Sequence, residues 1–320
     1  MLFLNQWTRV APAAAARRRS PLRIFVTGAS GHIGSAVVPE LLRAGHQVVG
    51  LARSDDSAAA LTASGATPLR GDLDDRDGLA RAAAAADGVI HLAFKHEAVR
   101  SGDYAGAVAA DLRAIEAIAG ALAGSGKPFV STSGTLQLSG ISDRPGTERD
   151  VIAAGPRVDA ENLVVALAER DVRSSVVRLP PIVHSLRDHH GFAPTLIGIA
   201  RATGVSGYVG EGVNRWPSVH TLDAGRLYRL ALDAAPPGAR LHAVADEGVP
   251  FRDIAAAIGR RLGVPATSIA ADDADDHFGF LGSLVVLDNP TSSAITQELL
   301  GWQPTRPGLI ADLDEDHYFG

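Results

Sequence analysis

The chain has 320 residues, 46% hydrophobic and 21% charged, which is enough for one large α/β unit or for a nucleotide-binding domain with a smaller lobe. A net charge of -6 argues against nucleic acid as a partner, and the absence of cysteine removes disulfides, thiolate catalysis and zinc–sulfur sites. No apolar run reaches the ~20 residues that span a bilayer, so the expectation is a soluble, cytoplasmic protein without a membrane partner.

Residues 1–20 read as an extension, with four arginines, many alanines and no acid. The basic run Arg17-Arg18-Arg19 follows the apolar part, the reverse of a secretory signal. A disordered tail or an over-called start is the plain reading, and an organellar leader is the alternative. Beyond it, Leu22 to Thr27 is a short apolar strand that runs into Gly28-Ala29-Ser30-Gly31-His32-Ile33-Gly34 and then a helical pattern. Such a turn leaves backbone N–H groups free at a helix N-terminus, which suits a pyrophosphate. Gly28 permits the tight turn, Gly31 lets the backbone approach the phosphates, and Gly34 lets the helix sit close to the strand. Ser30, His32 and Ile33 complete this predicted loop.

Short β-branched runs then alternate with helical stretches, the signature of parallel βαβ units. Strands are predicted at 22–27, 46–51, 89–93, 129–132 and 175–179, and helices at 33–44, 75–86, 103–124 and 157–170. After Pro180-Pro181 the elements shorten, with helices near 223–234, 250–262 and 292–300. The pattern predicts an α/β, Rossmann-type doubly wound parallel sheet over 21–180, and a mixed substrate lobe over 181–320 with parts returning to the sheet.

An acid at the end of strand two would select NAD by taking the ribose hydroxyls. This chain has Arg53 and Ser54 there, which can pair with and donate to a 2′-phosphate, so NADP(H) is preferred over NAD(H). Against this, Arg53 also fits an ordinary surface arginine, and Asp56 lies just beyond. Asp72, with Leu73, follows a third predicted strand; it fits either an acceptor for the adenine amino group or a helix N-cap.

Taken together, the glycine loop, Gly71-Asp72-Leu73, His91-Leu92-Ala93, Ser131-Thr132-Ser133, Arg178-Leu179-Pro180-Pro181-Ile182-Val183-His184, Val219 to Ala224 and Leu299 to Pro304 resemble the extended short-chain dehydrogenase/reductase superfamily, which includes NAD-dependent epimerases and dehydratases. The resemblance implies that Leu92 and Ala93 line the cofactor, that Pro180, Pro181 and Ile182 approach the nicotinamide, and that Ser133 binds a substrate oxygen. It also implies a homodimer as the expected assembly. The family's reductases use a Tyr with a Lys four residues later to move the substrate proton. Here the tyrosines are Tyr104, Tyr208, Tyr228 and Tyr318, and none has Lys four residues on. Aligning Glu161 with the family's acid puts Arg157 at the Lys position and Ala153 at the Tyr position.

Three side chains are candidates for the missing proton transfer. Ser133 can orient a carbonyl; His184 brings an imidazole, the side chain suited to proton transfer near neutrality, although a satisfied loop histidine is its plainer reading; and Tyr208 lies in a glycine-rich stretch able to fold over a site. Arg215 and Trp216 suit an anionic or planar small-molecule substrate, with structural packing as the equal alternative. The Asp188-His189-His190 trio lacks metal-ligand spacing, and no metal is expected. The leading expectation is an NADP(H)-dependent oxidoreductase acting on a small carbonyl or alcohol. A non-catalytic NADP(H)-binding sensor or scaffold is the second reading, and a nucleotide-sugar epimerase or dehydratase the third.

Overall fold

The computed structural model describes residues 20–141 and 143–320, so the reading of residues 1–19 falls outside the described residues. The chain runs β1 (Arg23–Thr27), α1 (Gly34–Arg43), β2 (Gln47–Ala52), α2 (Asp55–Ala63), β3 (Thr67–Arg70), α3 (Arg76–Ala85), β4 (Gly88–His91), α4 (His96–Arg100), α5 (Tyr104–Leu122), β5 (Pro128–Gly134), α6 (Val158–Ala166) and β6 (Arg173–Leu179). It continues through β7 (Ile182–His184), α7 (Phe192–Thr203), β8 (Ser206–Val209), β9 (Arg215–His220), α8 (Thr221–Ala234), β10 (Ala239–His242), β11 (Asp246–Pro250), α9 (Phe251–Leu262) and β12 (Ala266–Ile269), with short helical turns thereafter.

Strands β1 and β4 carry buried residues on both faces, as parallel strands sandwiched between helices must. The main sheet has seven parallel strands in the order β10-β6-β5-β4-β1-β2-β3. Strand order reverses between β1 and β4, and such a switch point opens a crevice at the carboxyl ends of the strands. Helices α1, α2 and α8 pack one face of the sheet, with Trp302 among them, and α3, α5 and α6 pack the other. A third core, built on Trp216, Phe251 and Phe278, holds α7, α9 and the small sheet β11-β9-β7.

Three local expectations change. The pattern predicts no helix between the strand at 46–51 and the helix at 75–86, yet α2 forms there: Ser54 caps it through a reciprocal hydrogen-bonded pair with Ser57, and Asp55 and Asp56 sit in its first turn, where negative charge is favoured. Helix α3 is capped by Asp75 rather than Asp72. Helix α8 begins at Thr221, with His220 Nδ1 accepting from the Leu222 amide at 3.1 Å, while Asp223 accepts from the amides of Thr305 and Arg306 at 2.9 and 2.8 Å.

Candidate functional site

At the end of β1, Gly28 adopts φ +66°, and a Cβ there would lie 2.8 Å from the Ala93 amide nitrogen. A Cβ at Gly34 would fall 2.3 Å from the Gly28 carbonyl oxygen, so both positions require glycine. The turn closes through Gly31 N–H donating to Gly28 O at 3.0 Å. Ser30 and Gly31 are exposed, and His32 and Ile33 half-buried. Among the described residues, the amides of Ser30, His32 and Ile33 donate to no other main-chain carbonyl, leaving free donors at the start of α1. The His32 side chain turns to the lobe, with Nε2 2.7 Å from Thr221 Oγ1 and Nδ1 3.7 Å from Asp188 Oδ1. Leu92 and Ala93 are stitched against the loop, their amides donating to Thr27 Oγ1 at 3.2 and 3.3 Å.

Towards the outer strands, Arg53 follows β2 directly and is exposed, 3.3 Å from Glu97 of α4. The Ser54 hydroxyl accepts from the Ser57 amide at 3.2 Å, so its expected phosphate contact competes with a helix cap. Asp72 accepts from the Asp74 amide at 2.9 Å, and Leu73 is buried beneath it. The Asp74 carboxyl is held below the usual range by its hydrogen bond from Lys95, 2.6 Å away.

On the inner side, Arg157 Nη2 donates to Thr132 O at 3.3 Å, lies 3.9 Å from Asp111 Oδ2, and covers the Phe94 ring at 4.1 Å. Asp111 in turn holds His91, 3.0 Å away, and His91 meets Thr27 Oγ1 at 2.8 Å. Ser133 Oγ accepts from Gln137 Nε2 at 3.0 Å, and the same amide donates to Glu161 Oε2 at 2.5 Å. Burial opposes the charge on Glu161, but hydrogen bonds from Arg178 and Arg240 outweigh it and hold the carboxyl at about 2. Gln137 was missed from sequence; its signal was the i,i+4 spacing from Ser133, which the tight turn Thr135–Leu138 converts into contact.

Several expected site residues lie elsewhere. His184 is fully buried, its Nδ1 2.8 Å from Asp312 Oδ2 and its ring edge-on to His220. A histidine sealed in that way cannot pass a proton to a substrate. Tyr208 packs in the lobe core, near Gly212 and Arg252, and has no described contact with Ser133. Arg215 is engaged by Asp288, with hydrogen bonds of 3.1 and 2.7 Å from Nε and Nη2, and Trp216 is fully buried, its Nε1 donating to Leu287 O at 3.2 Å. Pro180 is buried, Pro181 half-buried, and Ile182 faces the lobe core.

A glycine loop open at the switch point of a parallel sheet defines a Rossmann-type dinucleotide fold. The chain belongs to the NAD dependent epimerase/dehydratase family, which it matches over residues 24–242. An uncharacterized protein of Schizosaccharomyces pombe is 47% identical over 300 residues, covering 93% of this chain and 100% of its own. The 2-alkyl-3-oxoalkanoate reductase of Stenotrophomonas maltophilia is 28% identical over 258 residues, covering 76% of this chain and 77% of that one. In fold, the chain resembles a dTDP-glucose 4,6-dehydratase from Streptomyces venezuelae with NAD bound, at TM-score 0.73 and 20% identity over 91% of this chain and 94% of that one.

Proposed function

We propose that this chain prefers NADP(H) to NAD(H) and transfers hydride between the nicotinamide and a small carbonyl or alcohol. The observation that carries this reading is Arg157, braced against Thr132 O and Phe94 beside Ser133, below an open glycine loop. When bound, the cofactor supplies or accepts the hydride. The free amides of Ser30, His32 and Ile33 take the diphosphate, and Arg157 takes the nicotinamide ribose hydroxyls in place of a lysine. Ser133, whose oxygen accepts from Gln137 and whose hydroxyl helps to hold the Glu161 carboxylate ionised, exchanges that O–H contact for the substrate oxygen. Arg53 supports the phosphate preference, because its exposed pair with Glu97 contributes little and is readily exchanged for a dianion. The name of the Stenotrophomonas relative, a reductase of an oxo compound, supports a carbonyl substrate.

Calorimetric titration tests the cofactor preference: NADPH should bind more tightly than NADH, and Arg53→Ala should weaken NADPH about tenfold, ~1.4 kcal/mol, while leaving NADH nearly unchanged. Equal wild-type affinities would overturn it. The sensor reading draws on Ala153, where the family pattern has tyrosine; NADPH binding without oxidation across a carbonyl panel would establish that reading instead.

A further inference from the structure

The segment after β4 sends alternate side chains to opposite partners. Lys95 reaches Asp74, in the turn before α3, and Glu97 reaches Arg53, just after β2. Phe94 and His96 serve the other side. Their rings meet edge to face with centroids 5.2 Å apart, and the Arg157 guanidinium covers Phe94 at 4.1 Å. The His96 imidazole and the Arg157 guanidinium therefore share one aromatic platform, and Arg157 reaches Thr132 O, next to Ser133, at 3.3 Å. His96 remains open to solvent, from which a spent proton can be replaced. The imidazoles of His91, His184 and His242 are buried and committed to Asp111, Asp312 and the Ser292 carbonyl. Glu161 is ionised by its arginine partners and cannot donate.

We infer that His96 is the proton-handling residue of this site, doing with an imidazole what the family's tyrosine does with a phenol. The inference rests on the hydride-transfer reading. Reduction adds hydride from the reduced nicotinamide to the carbonyl carbon and one proton from a His96 N–H to the carbonyl oxygen. The C=O π pair becomes the O–H bond, and the neutral imidazole recovers its proton from water; oxidation of an alcohol runs the same transfers backwards. One side of the His96 ring is open, but its packed side loses water, and that loss, followed by the charges of Arg157 and Arg100, draws the imidazole below its ordinary value, while Asp111 opposes them. The proton-loaded form thus grows as pH falls below neutrality, so reduction should speed up in mildly acidic buffer and alcohol oxidation should slow.

The experiment is steady-state carbonyl reduction with NADPH across pH, for the wild type and His96→Gln, together with NMR titration of the His96 ring protons with and without NADP+. The expected result is a loss of about 10²-fold or more in kcat, disappearance of the acidic rise, and a KM for NADPH within about threefold of wild type. The His96 resonance should titrate below free imidazole and move when NADP+ binds. A variant that keeps kcat and the pH profile overturns the inference and leaves the hydride-transfer reading standing, as does one that changes only KM for NADPH. A His96 resonance indifferent to NADP+ also overturns it, whatever the turnover. A wild type that binds NADPH but reduces no carbonyl removes the hydride-transfer reading, and the inference falls with it.

Discussion

Asp312 lies 128 residues from His184 in the chain and 2.8 Å from it in the fold. No local pattern encodes that pairing, so the sequence alone does not distinguish His184, which follows β6 where the resemblance places the nicotinamide, from an uncommitted histidine. Arg215 misled for the same reason, because Asp288 is 73 residues away. Ser133 and Arg157 were legible because strand β5 and the motif register fix them locally. A histidine two residues beyond Phe94, as His96 is, carries no signal in the sequence without Arg157 stacked on that ring. If His184 is structural, Asp312→Ala strands a buried imidazole whose Nε2 has no partner among the described residues. Urea unfolding should then show a loss of about 1–3 kcal/mol, with NADPH affinity unchanged. A variant of wild-type stability whose affinity for NADPH is reduced would place His184 in the cofactor site instead.

At the level of elements, the glycine loop is tied to the lobe by His32, which meets Thr221 of α8 and approaches Asp188 of the 185–190 loop. Burial, then the neighbouring His189 and His184, lower His32 from 6.5 to about 4. Burial pushes Asp188 up from 3.8 to about 6 against the hydrogen bond from the Gly191 amide. The two titrations act on stability with opposite signs. His32 has a depressed folded value, so its contribution is full above 6.5 and is lost as pH falls towards about 4. Asp188 has a raised folded value, so its contribution is full below 3.8 and is lost as pH rises through about 6. Over the shared window the slopes offset one another. Asp188→Asn removes one of them, and stability should then fall more steeply on acidification from about pH 6 to 4, by the slope of one proton, ~1.4 kcal/mol per pH unit. Thermal melts at half-unit pH steps measure this, and parallel curves for variant and wild type would refute it.

Across the whole molecule, the positions of β1, β2, β4, β5 and β6 were legible because these strands are apolar and mostly buried on both faces, with β1 running into Gly28 and β6 into Pro180. Strand β3 at the sheet edge is only half-buried and leaves a weaker pattern. The lobe was less readable: β7 has 3 residues and β8 has 4, and their partners β9 and β12 are set by tertiary packing rather than by pattern. Helix α8 joins the two regions. It packs so closely on α1 that a Cβ at Gly225 would lie 2.8 Å from Ala36 Cβ, and its first residue, Thr221, holds His32 of the glycine loop. Trp302 Nε1 donates to Asp223 O at 3.0 Å, which sets a fluorophore against the same helix. Gly225→Leu must push α8 away from α1; overpacking of this kind costs about 1–3 kcal/mol, only partly offset by the better helix propensity of leucine. Urea unfolding followed by tryptophan emission should show the lower midpoint. Because the displaced helix carries Thr221, NADPH affinity should fall along with stability. A variant that loses stability but binds NADPH like the wild type would show that β1 and β4 alone set the loop, and that the lobe has no hold on the cofactor end of the crevice.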